Sequence, residues 1–161
     1  MNTRLIARAG VYAALYAALV LTPGLNSLAY GQVQFRVAEG LMAFSCFDLA
    51  AVPGLALGTA LGNTMSPLGI VDVIVGAALT FVAALLMWRM GPRWWALAVP
   101  VVVNGLGVAA ELALVLDLPY WPSAGLVALG EGVVMASAGA VMFGLARRYG
   151  TLLGLQRHQT E

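Results

Sequence analysis

Glu39, Asp72, Glu111 and Glu131 are the residues on which chemistry could rest, because each lies in or beside a long apolar run. Carboxylates are costly in hydrocarbon, so they face a protein interior or a water-filled cavity and mark binding sites or ion paths. The stretch 31-GQVQFRVAEG-40 adds Gln34 and Arg36 beside Glu39. Asn104 lies seven residues before Glu111, two helical turns along the same face. If acids from separate helices converge, they form a pocket of negative potential suited to cationic or donor-rich small molecules. A guanine-like ring fits such a pocket. Its ring N–H and exocyclic amine can donate two parallel hydrogen bonds to one carboxylate, and a positively charged amine could use a second.

The elements that must position these groups are read from hydropathy. The chain has 161 residues, 61% hydrophobic and only 9% charged, with a mean hydropathy of +0.91. Soluble domains carry about a quarter charged residues, so an all-α integral membrane protein in one domain is expected, with a short polar tail over 147–161. Six apolar segments stand out, at 5–21, 37–47, 49–61, 70–88, 94–116 and 124–145. The second and third are short for a span and could instead form one long helix over 37–61. The arginines favour six helices. Lys and Arg collect at cytoplasmic helix ends, and six crossings put Arg4, Arg8, Arg89, Arg93, Arg147, Arg148 and Arg157 on one face. Both termini are then cytoplasmic. Asp48, in the turn 45-SCFD-48, is read as the N-cap of the third helix. Trp88, Trp94, Trp95 and Trp121 fall at segment ends, as interfacial anchors do. Arg4, Arg8 and the small residues Ser27 and Ala29 also fit a signal peptide, but the first segment is taken as a retained helix.

This topology places the acids by depth. Glu39 lies near the outer end of the second helix and Asp72 at the outer start of the fourth. Glu111 comes six residues before Asp117, roughly 9 Å down. Glu131 comes nine residues after Pro122, roughly 14 Å down. All four therefore occupy the outer half. Simpler readings stand beside this one. Arg36 and Glu39, three residues apart, could pair with each other. Asp72 could cap the fourth helix, Asn104 could be interhelical glue, and Gln34 a solvated loop residue.

Several function classes are excluded. The chain has no lysine, all eight basic residues being arginine, so it holds neither a Walker A lysine nor a Schiff-base lysine. Any ATP hydrolysis belongs to another polypeptide. Cys46 and His158 are the single cysteine and histidine, which leaves no metal site of Cys and His ligands. No Ser–His or Cys–His set lies at membrane depth, so an enzyme is not expected. A net charge of +1 suggests no nucleic-acid partner. The first helix carries a different signal. In 9-AGVYAALYAA-18, Ala9, Ala13 and Ala17 recur every four residues, as do Gly10, Ala14 and Ala18. Such smooth faces let another helix approach closely, either within the protein or from a partner.

The string Gln34-Phe35-Arg36-Val37-Ala38-Glu39 resembles the QFR-x-x-E segment of the QueT family of queuosine-precursor transporters. The likeness continues through 52-VPGLALGTALGN-63, 69-GIVDVIVGAALT-80, 100-PVVVNGLGV-108 and 129-LGEG-132. The stretch 111-ELALVLDLPYWPSAG-125 departs most. The resemblance implies a six-helix substrate-binding S-component of an energy-coupling factor importer in a bacterial inner membrane. It further implies a membrane coupling subunit, two cytoplasmic ATPases that use the ATP, and an S-component that tips over to release its cargo. The small face of the first helix (Ala9, Ala13, Ala14, Ala17, Ala18) would meet the coupling subunit. The implied substrate is 7-aminomethyl-7-deazaguanine or a close relative such as queuine. Gln34, Arg36, Glu39, Asn104 and Glu131 are the first choices for its contacts, with Asp72 and Glu111 beside them.

Overall fold

The computed structural model describes residues 3–22, 35–152 and 154–155. Within them the chain forms six helical segments and no strand. The first helix is Thr3–Leu21. The second, Val37–Cys46, is a 3₁₀ helix. The third, Ala51–Gly62, ends in a 3₁₀ turn at Asn63–Met65. The fourth is Ile70–Met90. The fifth, Trp94–Leu116, begins as a 3₁₀ turn. The sixth, Tyr120–Tyr149, passes through a π-helical segment at Met135–Gly139. The first, fourth, fifth and sixth are long and apolar enough to cross a membrane.

The second and third segments are separate helices, broken at Phe47–Ala50, rather than one long span. The second is the axis of the bundle and packs against the first, third, fourth and sixth helices and the start of the fifth. Nearly all its residues are buried, Val37 being the exposed one. Its 3₁₀ winding follows from the spacing of its residues. Side chains three apart eclipse in such a helix, which aligns Gly40, Ala43 and Cys46 in one small column. A Cβ on Gly40 would lie only 2.8 Å from Ala138 Cβ, so that column allows the π-helical segment to close on it.

A second ladder of small residues joins the first and third helices. Ala9, Ala13 and Ala17 are buried, with the third helix against this face. A Cβ on Gly58 would lie 2.6 Å from Tyr16 Cβ, and one on Gly54 the same distance from the Ala9 carbonyl oxygen. This corrects three of the five residues of the expected docking face. Ala9, Ala13 and Ala17 are consumed by internal packing, whereas Gly10, Ala14 and Ala18 are exposed.

The arginine-bearing ends gather at one end of the bundle. Phe143 meets Phe47 at 5.0 Å and Trp94 at 4.4 Å between ring centroids. This brings together the turn after the second helix, the start of the fifth and the end of the sixth. Asp48 sits in the same region but is not the expected N-cap. The helix begins beyond it, at Ala51. Its Oδ1 accepts from the Ala50 backbone N–H at 3.0 Å, while Oδ2 accepts from Tyr12 Oη at 3.0 Å and pairs with Arg8 Nη2 at 2.6 Å. Asp48 thus fastens the first helix to the turn. Trp94, Trp95 and Trp121 are exposed, as interfacial anchors are; Trp88 packs partly against the core.

Candidate functional site

At the other end of the bundle, four helices contribute to one polar cavity. Arg36 and Glu39 come from the second helix and its approach, Gly76 and Thr80 from the fourth, Asn104 and Val108 from the fifth, and Val127 and Glu131 from the sixth. Arg36, Glu39, Asn104 and Glu131, all expected in a ligand site, therefore share its wall. Each is buried. The enclosed space is about 10 Å³, enough for about one water molecule. A purine-sized guest would have to part the helices to enter.

The carboxylates are held so that they keep acceptor capacity. Tyr16 Oη donates to Glu39 Oε1, while Glu39 Oε2 is buried without a hydrogen-bond partner among the described residues. Asn104 Nδ2 donates to Glu131 Oε1 at 3.2 Å, so Asn104 joins the fifth and sixth helices within the cavity wall. Glu39, Glu131 and Arg36 line the same wall. The cavity thus contains two carboxylates and one guanidinium, a set that matches a guest with both donors and an acceptor.

Asp72 and Glu111 stand apart from the other two acids. Neither lines the cavity. Asp72 is not a helix cap, because Gly69 holds that position and the Asp72 carboxylate points into the protein. Its Oδ2 lies 3.4 Å from Arg36 Nη2, and Asn63 Nδ2 donates to its Oδ1 at 2.7 Å and to its carbonyl at 2.8 Å. Gly76, one turn on, leaves room for this contact, since a Cβ there would collide with Asn63 Nδ2. Asp72 therefore anchors Arg36. Glu111 is buried near both charges, and neither of its oxygens has a hydrogen-bond partner among the described residues. Gln34 lies outside the described residues.

Tyr16, Asn63 and the pair Thr59–Thr80 escaped the sequence reading. Thr59 Oγ1 donates to the Leu55 carbonyl at 3.0 Å and lies 3.1 Å from Thr80 Oγ1. A Tyr at four-residue spacing from Tyr12, opposite the glycines of the third helix, was the available signal. A larger cleft of about 250 Å³ lies between the fifth and sixth helices, lined by Leu112, Leu116, Leu118, Pro119, Pro122, Ser123 and Leu126. It contains no charged group and lacks the donors and acceptors of the polar cavity.

The long apolar helices and the buried charged site define a multi-pass membrane transport protein. The family model described as the QueT transporter matches residues 6–148, and the chain belongs to that family. It is a family of transporters rather than enzymes, and this chain is a multi-pass protein of the bacterial cell membrane. The queuosine precursor transporter QueT of Lactococcus lactis subsp. cremoris (strain MG1363) is 30% identical over 152 residues, covering 86% of this chain and 89% of the relative. No solved structure matches the chain.

Proposed function

We propose that the chain is the substrate-binding S-component of an energy-coupling factor importer and captures a queuosine precursor, 7-aminomethyl-7-deazaguanine or a close relative such as queuine. The observation that carries this reading is that Glu39, Glu131 and Arg36 line one buried cavity. One carboxylate accepts the ring N–H and exocyclic amine, the other the ammonium, and Arg36 donates to the ring carbonyl. Charge-assisted hydrogen bonds of this kind are the strong ones. The name of the Lactococcus relative supports the substrate class.

In this reading the single domain spans the bilayer six times with both termini in the cytoplasm. The arginine-bearing end of the bundle then faces inward and the polar cavity outward. With no lysine in the chain, ATP is consumed by two partner ATPases acting through a membrane coupling subunit. The exposed stripe Gly10, Ala14 and Ala18 offers that subunit a surface for close helix approach. A thermal-shift screen of the purified chain with deazaguanines and common vitamins tests the proposal. Selective stabilisation by the aminomethyl compound is expected; stabilisation by an unrelated vitamin alone overturns the substrate assignment.

A second reading rests on Glu111, buried near Asp72 and with no hydrogen-bond partner on its carboxylate among the described residues. Such a group suits a proton or sodium site in an autonomous carrier. Uptake by the purified chain alone in liposomes would establish that reading, whereas an S-component binds without pumping.

A further inference from the structure

We propose that Tyr16 is a positioning residue of the ligand site, holding Glu39 by Oε1 so that Oε2 is presented to the guest. This rests on the capture reading above. Tyr16 is fully buried, and its ring is trapped where the third helix passes: a Cβ on Gly58 would lie 2.6 Å from Tyr16 Cβ and 3.1 Å from Cγ. So confined, the ring has little rotational freedom, and its hydroxyl is directed at Glu39. Thr59 neighbours the same hydroxyl and lies 3.1 Å from Thr80, which lines the cavity. The Tyr16 hydroxyl alone bonds the carboxylate, and the hydroxyls of the third and fourth helices lie behind it.

The other oxygen shows what that bond is for. Glu39 Oε2 is buried and accepts no hydrogen bond among the described residues. Leaving a buried acceptor unsatisfied is unfavourable, so a donor supplied by the ligand gains a site that is already aimed and desolvated. A carboxylate free to rotate would lose that advantage. Tyr16 also ties the guest to the first helix, whose opposite face carries the exposed residues Gly10, Ala14 and Ala18.

The test is a double-mutant cycle on the full chain in detergent, with 7-aminomethyl-7-deazaguanine as the probe. Tyr16→Phe should weaken binding by roughly tenfold, the loss of one hydrogen bond to a charged group. Tyr16→Phe combined with Glu39→Gln should bind no worse than Glu39→Gln alone. Additive losses would mean that Tyr16 acts through packing only and would overturn the assignment. Unchanged affinity in Tyr16→Phe, with the wild type binding, overturns it while leaving the capture reading intact. A wild-type chain that binds no deazaguanine overturns both. If Tyr16→Phe fails to fold, 3-fluorotyrosine at position 16 takes its place. Its ¹⁹F resonance should shift at saturating ligand, and a fixed resonance counts against the proposal.

Discussion

Arg36 and Asp72, thirty-six positions apart and both buried, meet with Nη2 3.4 Å from Oδ2. The arginine precedes the axial second helix, and the aspartate opens the fourth. Removing one member of a buried pair leaves an uncompensated charge in a medium that solvates it poorly. Arg36→Gln should therefore lower stability by about 3 kcal/mol. Adding Asp72→Asn should restore part of that loss. Thermal unfolding of both variants in detergent measures the two effects, and a double variant less stable than Arg36→Gln would contradict the pairing.

Glu39→Gln and Glu131→Gln keep the size of each side chain and remove its charge. Each should weaken binding of 7-aminomethyl-7-deazaguanine by at least about tenfold, since hydrogen bonds to charged groups contribute about 1.5–3 kcal/mol. Titration calorimetry on the purified variants reads this directly. Unchanged affinity in both would remove the cavity from the capture mechanism.

Two alanines one residue apart on the first helix should behave oppositely. Ala13 is buried against the third helix, and Ala14 is exposed. Ala13→Leu should destabilise the chain by about 1–3 kcal/mol through overpacking. Ala14→Leu should leave stability and ligand binding unchanged yet impair uptake in cells that supply the coupling subunit and ATPases. Normal uptake by Ala14→Leu would place the partner elsewhere.

Asp48 joins the first helix to the turn between the second and third. Asp48→Ala removes acceptors for Tyr12 and Ala50 and should cost about 1–3 kcal/mol. Arg8→Ala should cost less, because Tyr12 and Ala50 still donate to Asp48, although the buried carboxylate loses its cation. Comparing the two unfolding midpoints tests that ordering.

Hydropathy located the helices well because lipid imposes length and apolarity on any segment it touches. The segment 94–116 coincides with the fifth helix, and 70–88 falls two residues short of the fourth. It said least about the second helix, which is nearly all buried and owes its form to the three-residue spacing of Gly40, Ala43 and Cys46. In the site, counting rise along the helices carried no information on which way each acid turns. Glu39 and Glu131 turn into one cavity, whereas Asp72 turns to Arg36 and Glu111 lies outside the wall. Tyr16 carries no charge and sits among alanines, so its four-residue spacing from Tyr12 was the one sign of it. The interleaved alanine rows of the first helix were likewise ambiguous by themselves. Glycines 54 and 58 on the third helix identify the inward row.

The second helix has ten residues in 3₁₀ winding, about 20 Å in length against about 15 Å for the same residues as an α-helix. Unwinding to α geometry would retract one end by about 5 Å. It would also swing Glu39 by about 120° relative to Ser45, six residues along, since each step turns about 100° rather than 120°. Glu39 is the charged side chain that such a change of pitch would carry round, and Tyr16 is the partner that would have to release it.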